Sequence, residues 1–408
     1  DPWTAADLRV LDPAGDAYTP SSDILAIYTR TTTSDVEIRI DLLDFDFNDF
    51  YILQMFLFDE EQFEQNAMSV VIRSSGGSRT FQEAVSPVLL PFQARVVRDP
   101  WLDTILVRIN RTFISGNYTV VVVSLAFEPG YDVSDTALHA SSDAAPPTGR
   151  APLLLAFTNT FPAASPAQAL RRWDGAHTGP TGERHGLRIL LEAARRNGIP
   201  LALLDLANPS SLAILDSFGG LDLVREMAAD GLLLLPGVAW SEPAEAALDS
   251  SRRALAAFDL PEDDFVYRAS GLLLEEARFQ FLPLDDPSRL SRSGRTRLIP
   301  LPAGAGLEAT AGGPTLEVRR ALMDAALSDD PSDLVVLGGD LPASTWGDAD
   351  MAAPTLAWIA AHPWIRPLDG EALADFPVGG ESTPPAPAAV APLPFLSDLE
   401  AAPDNPLT

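Results

Sequence analysis

Asp340 closes the apolar run Leu334-Val-Val-Leu-Gly-Gly-Asp340, so it stands at the carboxyl end of a buried-type strand. That is the edge at which α/β folds gather reactive groups, and a carboxylate there can act as a general acid, a base or a nucleophile. Asp174, His177 and His185 follow an earlier apolar run and carry the residue types of a metal or acid/base cluster, although their spacing matches no established ligand motif. Asp41, Asp44, Asp46 and Asn48 form an oxygen-rich stretch whose side chains suit calcium, a hard cation. Leu43, Phe45 and Phe47 alternate with them, which equally describes a strand and turn with one polar face. Trp173, Trp240 and Trp346 each follow an expected strand end and offer flat apolar area for a sugar ring, or for a core. Arg268 could grip a carboxylated ligand or pair with one of the many acids.

The elements that must position these groups change character along the chain. From Leu8 to about Phe127, short β-type runs are separated by turn residues, which predicts an all-β sandwich over 1–130. Val36-Glu-Ile-Arg-Ile-Asp-Leu alternates apolar and polar residues as a half-solvated strand does. Residues 131–151 are rich in Ser, Asp, Ala and Pro and read as a linker. Beyond it, Leu153 to Phe157, Gly186 to Asn197 and Leu201 to Leu206 read as strand, helix and strand, so 152–376 is expected to be an α/β domain with parallel strands. Residues 377–408 form a Pro- and Ala-rich extension of polyproline character.

Several segments of the α/β part resemble, in order, the distorted β/α barrel shared by polysaccharide deacetylases and family-57 glycoside hydrolases. Gly186 to Leu204 resembles a deacetylase helix and strand, and Val224-Arg-Glu-Met-Ala-Ala-Asp-Gly231 the helix before that family's metal-binding His motif. Glu245 to Leu255 and Tyr267-Arg-Ala-Ser-Gly271 resemble the next helix and a groove-lining arginine motif. Leu334 to Asp340, Ser344-Thr-Trp-Gly347 and the run to Pro367 resemble the closing strand, loop and helix. Leu11-Asp-Pro-Ala-Gly-Asp16 is similar to the opening of accessory β-sandwich modules of secreted glycoside hydrolases.

The resemblance implies a chemistry whose residues are largely replaced. A deacetylase needs one acid and two imidazoles around a metal that polarises the acetyl carbonyl and activates water. Here the corresponding segments read Phe157-Thr158-Asn159-Thr160 and Pro236-Gly-Val-Ala-Trp240-Ser-Glu242. A retaining glycosidase needs two carboxylates about 5–5.5 Å apart. Asp340 fits one of them, while Tyr267-Arg-Ala-Ser270 occupies the place of the other, with Glu242, Glu275 and Glu276 the nearest acids in sequence.

Composition narrows the partners. Fifty-seven acidic side chains against 28 basic ones give a formal charge of −29, which repels nucleic acids and anionic membranes. There is no lysine, and no cysteine to form a disulfide or a thiolate metal site. The chain begins at Asp1 without a leader-like segment, and no stretch suits a bilayer span, so the expectation is a soluble protein outside the cytoplasm or at the cell surface. The combined expectation is a catalytically degenerate carbohydrate-active protein that binds glycan or polysaccharide through Asn159, Asp174, His177, Trp240, Glu242, Arg268 and Trp346. No cofactor is required, and calcium is the one candidate ion. The alternatives are an active hydrolase or deacetylase using Asp340, and a self-associating envelope or fibre subunit.

Overall fold

The computed structural model describes residues 2–46, 51–59, 67–73, 84–85, 94–114, 116–126, 132–158, 166–174, 177–178, 184–239, 243–268, 273–274, 277–284, 288–301, 306–341 and 344–381. Asn48, Asn159, Trp240, Glu242, Glu275, Glu276 and residues 382–408 of the Pro-rich extension lie outside them. The chain is mixed α and β and divides into two compact units. The first comprises 1–151 with Thr315–Ser328 and Ala361–Arg366; the second comprises Pro152–Pro314, Asp329–Ala360 and 367–408. Among the described residues no helix is long and apolar enough to cross a membrane.

The described residues of 1–150 form the strands β1 (Leu8–Leu11), β2 (Ile24–Thr31), β3 (Asp35–Leu42), β4 (Tyr51–Asp59), β5 (Ala67–Arg73), β6 (Ala84–Val85), β7 (Ala94–Asp99), β8 (Thr104–Asn110), β9 (Tyr118–Ala126) and β10 (Asp132–Ser141). They form two antiparallel sheets, β1-β2-β3-β8-β7 and β10-β9-β4-β5-β6. Alternate residues of both sheets, such as Val36, Ile38 and Ile40 of one and Leu53, Met55 and Leu57 of the other, enter a single hydrophobic core. β10 lies in the stretch whose composition reads as linker; its backbone pairs with β9 instead, because an available strand edge satisfies peptide groups whatever the side chains.

The other face of β3 departs from the half-solvated expectation. Glu37, Arg39 and Asp41 are all buried, and each is neutralised by a neighbour. Glu37 pairs with Arg30 at 2.6 Å and Arg108 at 2.8 Å, and Arg39 with Asp41 at 2.6 Å. Asp41 is 0% exposed; burial raises its pKa, while Arg39, Tyr28 and Trp364 hold it down. His362 Nε2 lies 3.8 Å from its other oxygen. The helix Leu316–Leu327 contributes Arg319, buried against Asp103 at 2.9 Å and Asp44 at 3.2 Å.

The second unit opens with β11 (Ala151–Thr158), a continuous apolar run of the kind a strand covered on both faces requires. Then come β12 (His177–Thr178), β13 (Arg184–His185), β14 (Leu201–Leu203), β15 (Leu233–Leu234), β16 (Gly237–Val238), β17 (Phe265–Tyr267), β18 (Phe279–Pro283), β19 (Ser291–Ser293), β20 (Thr296–Leu301), β21 (Ala309–Thr310), β22 (Gly313–Pro314) and β23 (Val335–Asp340). One parallel ladder runs β15-β14-β11-β23, and a second sheet runs β16-β17-β18-β20-β19. Side chains of both, including Leu154, Ala202, Phe265, Phe279 and Ile299, share one core. The hydrogen-bonded ladder does not close on itself: β20 and β23 pack as neighbours without pairing. A closed barrel is therefore not what the described residues display.

β23 bends at Gly338 and Gly339, with φ of +130° and +116°. A Cβ on Gly338 would sit 2.0 Å from the Ala156 carbonyl oxygen of β11, so the two backbones approach more closely than any side chain permits. Gly338→Ala should destabilise the chain by more than about 3 kcal/mol in urea unfolding, through strain added to overlap. An unchanged midpoint would show that the bend is not required. Asp41→Ala should cost about 3–5 kcal/mol in the same measurement, because it leaves Arg39 buried without its counter-charge. A loss below about 1 kcal/mol, the range of an exposed pair, would contradict this account.

Candidate functional site

The register of the parallel ladder sets Thr158 of β11 beside Asp340 of β23, at the carboxyl ends of both strands. β14 stops at Leu203, which leaves Asp205 beyond the strand end, and Tyr267 terminates β17. These groups bear on one another. Burial raises the Tyr267 pKa well above the ordinary phenol range, with Asp205 and then Asp340 adding to the rise. Tyr267 is thus held neutral within electrostatic reach of two acids. Asp340 Oδ1 is buried and has no hydrogen-bond partner among the described residues. Such an oxygen is costly unless something else donates to it.

Glu308 stabilises the bend that presents Asp340. Its carboxylate accepts the Trp346 Nε1–H at 2.9 Å and the Gly338 N–H. Burial is the main influence on Glu308 and raises its pKa, with those two donors opposing it. Trp346 is only 1% exposed and meets Phe157 edge-on at 5.7 Å between ring centres. It is a core residue with a polar anchor, so its place as a sugar platform is corrected: the indole that follows the strand end turns inward to Glu308. Trp173 is likewise buried, against Phe218. Arg268 is 7% exposed and engaged within the protein, which leaves it no open face for a carboxylated ligand.

Asp174 lies away from the strand ends, at the close of the helix Pro166–Asp174, where it pairs with Arg188 at 3.1 Å. It lines a shallow groove of about 820 Å³ among helices, together with Trp173, Arg195 and Glu226. Arg188 also reaches Glu192, and Arg195 reaches Glu226, so the groove's charges largely answer one another. The cluster at Asp340 is the better site on chemical grounds, since it holds a buried acceptor without a partner. His177 and His185 face each other in register across the β12–β13 pair.

Two of the calcium candidates Asp41, Asp44 and Asp46 are drawn into ion pairs. Asp41 is taken by Arg39 and Asp44 by Arg319, so the run is divided between two guanidinium groups. Among the described residues, the acids whose carboxylate oxygens do gather are Asp12, Asp16 and Asp135.

At the described strand ends, Thr158, Ala239, Tyr267 and Asp340 supply no imidazole. The one-acid, two-imidazole set of a deacetylase does not fit there. No protein-family model and no curated protein matches this sequence.

Asp205 escaped detection because Leu201 to Leu206 reads as one unbroken apolar strand with an acid inside it. Only the early stop of β14 turns that acid into an edge residue. Removing a negative charge from beside Tyr267 should lower its pKa. Asp340→Asn should therefore bring one phenol into titration at lower pH in ultraviolet difference spectra, and superimposable titrations would separate the two groups.

Proposed function

We propose that this protein is an extracellular or cell-surface glycan-binding protein whose second unit is a barrel-like carbohydrate scaffold without a metal centre, joined to a β-sandwich. The reading is supported chiefly by the juxtaposition of Asp205, Tyr267 and Asp340 at the carboxyl ends of parallel strands. Sugar hydroxyls both donate and accept hydrogen bonds. Two carboxylate acceptors beside one locked phenol donor form a matching set, and the unpartnered Oδ1 of Asp340 is the atom a hydroxyl would satisfy. With a formal charge of −29 on the chain and two acids at the site, neutral or amino sugars suit it better than uronic acids.

A second reading is a glycoside hydrolase in which Asp205 is the partner that Asp340 lacks in the sequence. The observation favouring it is that both acids act on the same tyrosine. Affinity electrophoresis through neutral and acidic polysaccharides decides between these readings. Binding predicts retardation by a neutral or amino-sugar polymer, weakened about tenfold or more in Tyr267→Phe and Asp340→Ala, the loss of one or two charge-assisted hydrogen bonds. Retardation that survives both substitutions would remove the site from the reading. Covalent labelling by a retaining-glycosidase probe, abolished in Asp340→Asn, would establish the hydrolase instead.

A further inference from the structure

The first unit carries a second group of acids that the glycan reading does not use. Asp12 and Asp16 lie on the turn after β1, Asp23 precedes β2, and Asp135 comes from β10 of the other sheet. Oxygens of Asp12, Asp16 and Asp135 all lie within 4.8 Å of one another. Carboxylate oxygens bound to one calcium ion at about 2.4 Å can be no farther apart than about 4.8 Å.

Asp23 supplies an independent observation. It is 1% exposed, and its Oδ2 accepts the Gly15 N–H at 2.7 Å, while its Oδ1 is buried with no hydrogen-bond partner. Its donor Gly15 adjoins Asp16, and its chain neighbour Ile24 donates to Asp135, which places it beside the same group. Asp135 is 7% exposed and accepts the Ile24 N–H at 2.6 Å. Burial first, then Asp135, pushes Asp12 up to about 8, and burial raises Asp23 to about 7 despite the Gly15 N–H. The nearness of Asp135 is among the causes that raise Asp12, as two carboxyl groups repel when both are ionised. Arg320 is the cation bearing on Asp23, one positive charge against four acids.

We propose that Asp12, Asp16 and Asp135, backed by the buried Asp23, form a calcium site that ties the turn after β1 to strand β10 of the opposite sheet. All the ligands are oxygen, with no imidazole or thiolate to favour zinc, and calcium accepts a mixed set completed by water. Magnesium binds less well, because it holds its own water and demands regular octahedral geometry.

The test is calorimetric titration of the chelator-stripped full chain with calcium near pH 7. One ion per chain is expected. Asp16→Asn, at an exposed position that should not disturb folding, weakens binding about tenfold or more, and Asp23→Asn weakens it likewise. A thermal melt supplies a second readout: calcium should raise the midpoint of the stripped chain by an amount that grows with its concentration. No binding at about 10 mM calcium, beyond the weakest extracellular sites, overturns the proposal. Binding left unchanged in both variants overturns it equally.

Discussion

Placing carboxylates in the interior is the constraint around which this chain is organised. With 57 acids and only 28 basic residues, it cannot give each acid a cation, and an ion buried alone costs several kcal/mol. On and around β3 the arginines are used: Arg39 on Asp41, Arg319 on Asp103 and Asp44, and Arg30 with Arg108 on Glu37. Each of these belongs to the first unit, whose outer strand face would otherwise be a row of uncompensated charge. The guanidinium fork suits the task, because one group can meet several acceptors at once.

Where no arginine is spent, neutral donors or protons take its place. Glu308 is held by an indole N–H and a peptide N–H, which also fix the bend in β23. Tyr267 stays neutral in the field of Asp205 and Asp340. Each candidate site holds a buried carboxyl oxygen without a hydrogen-bond partner among the described residues, Oδ1 of Asp340 in one and Oδ1 of Asp23 in the other. The correlation is physical: an acceptor already matched by a guanidinium has little to offer a ligand, whereas one with a vacant lone pair gains from any donor or cation of suitable size.

Backbone geometry then decides which acids become accessible. β23 could not reach β11 without Gly338, and only that close approach brings Asp340 level with Thr158. The early end of β14 has the same consequence for Asp205. Resemblance to carbohydrate-active barrels anticipates parallel strands with chemistry at their carboxyl ends. The strands instead divide into two hydrogen-bonded ladders around one core.

Local pattern alone indicated a good deal: a strand at Val36 to Leu42, found at Asp35–Leu42; one at Leu153 to Phe157, found at Ala151–Thr158; a helix at Gly186 to Asn197, found at Leu187–Asn197; and parallel pairing beyond the stretch 131–151. Apolar periodicity reports these directly, since it records which side of each segment leaves water. It is silent on partners. That Trp346 turns inward to Glu308, that β10 forms where composition suggests a linker, and that Asp135 meets Asp12 across more than a hundred residues were settled only by the fold. Charge pairing depends on distances in space and on solvent exclusion, and neither is written into the spacing of residues along a chain.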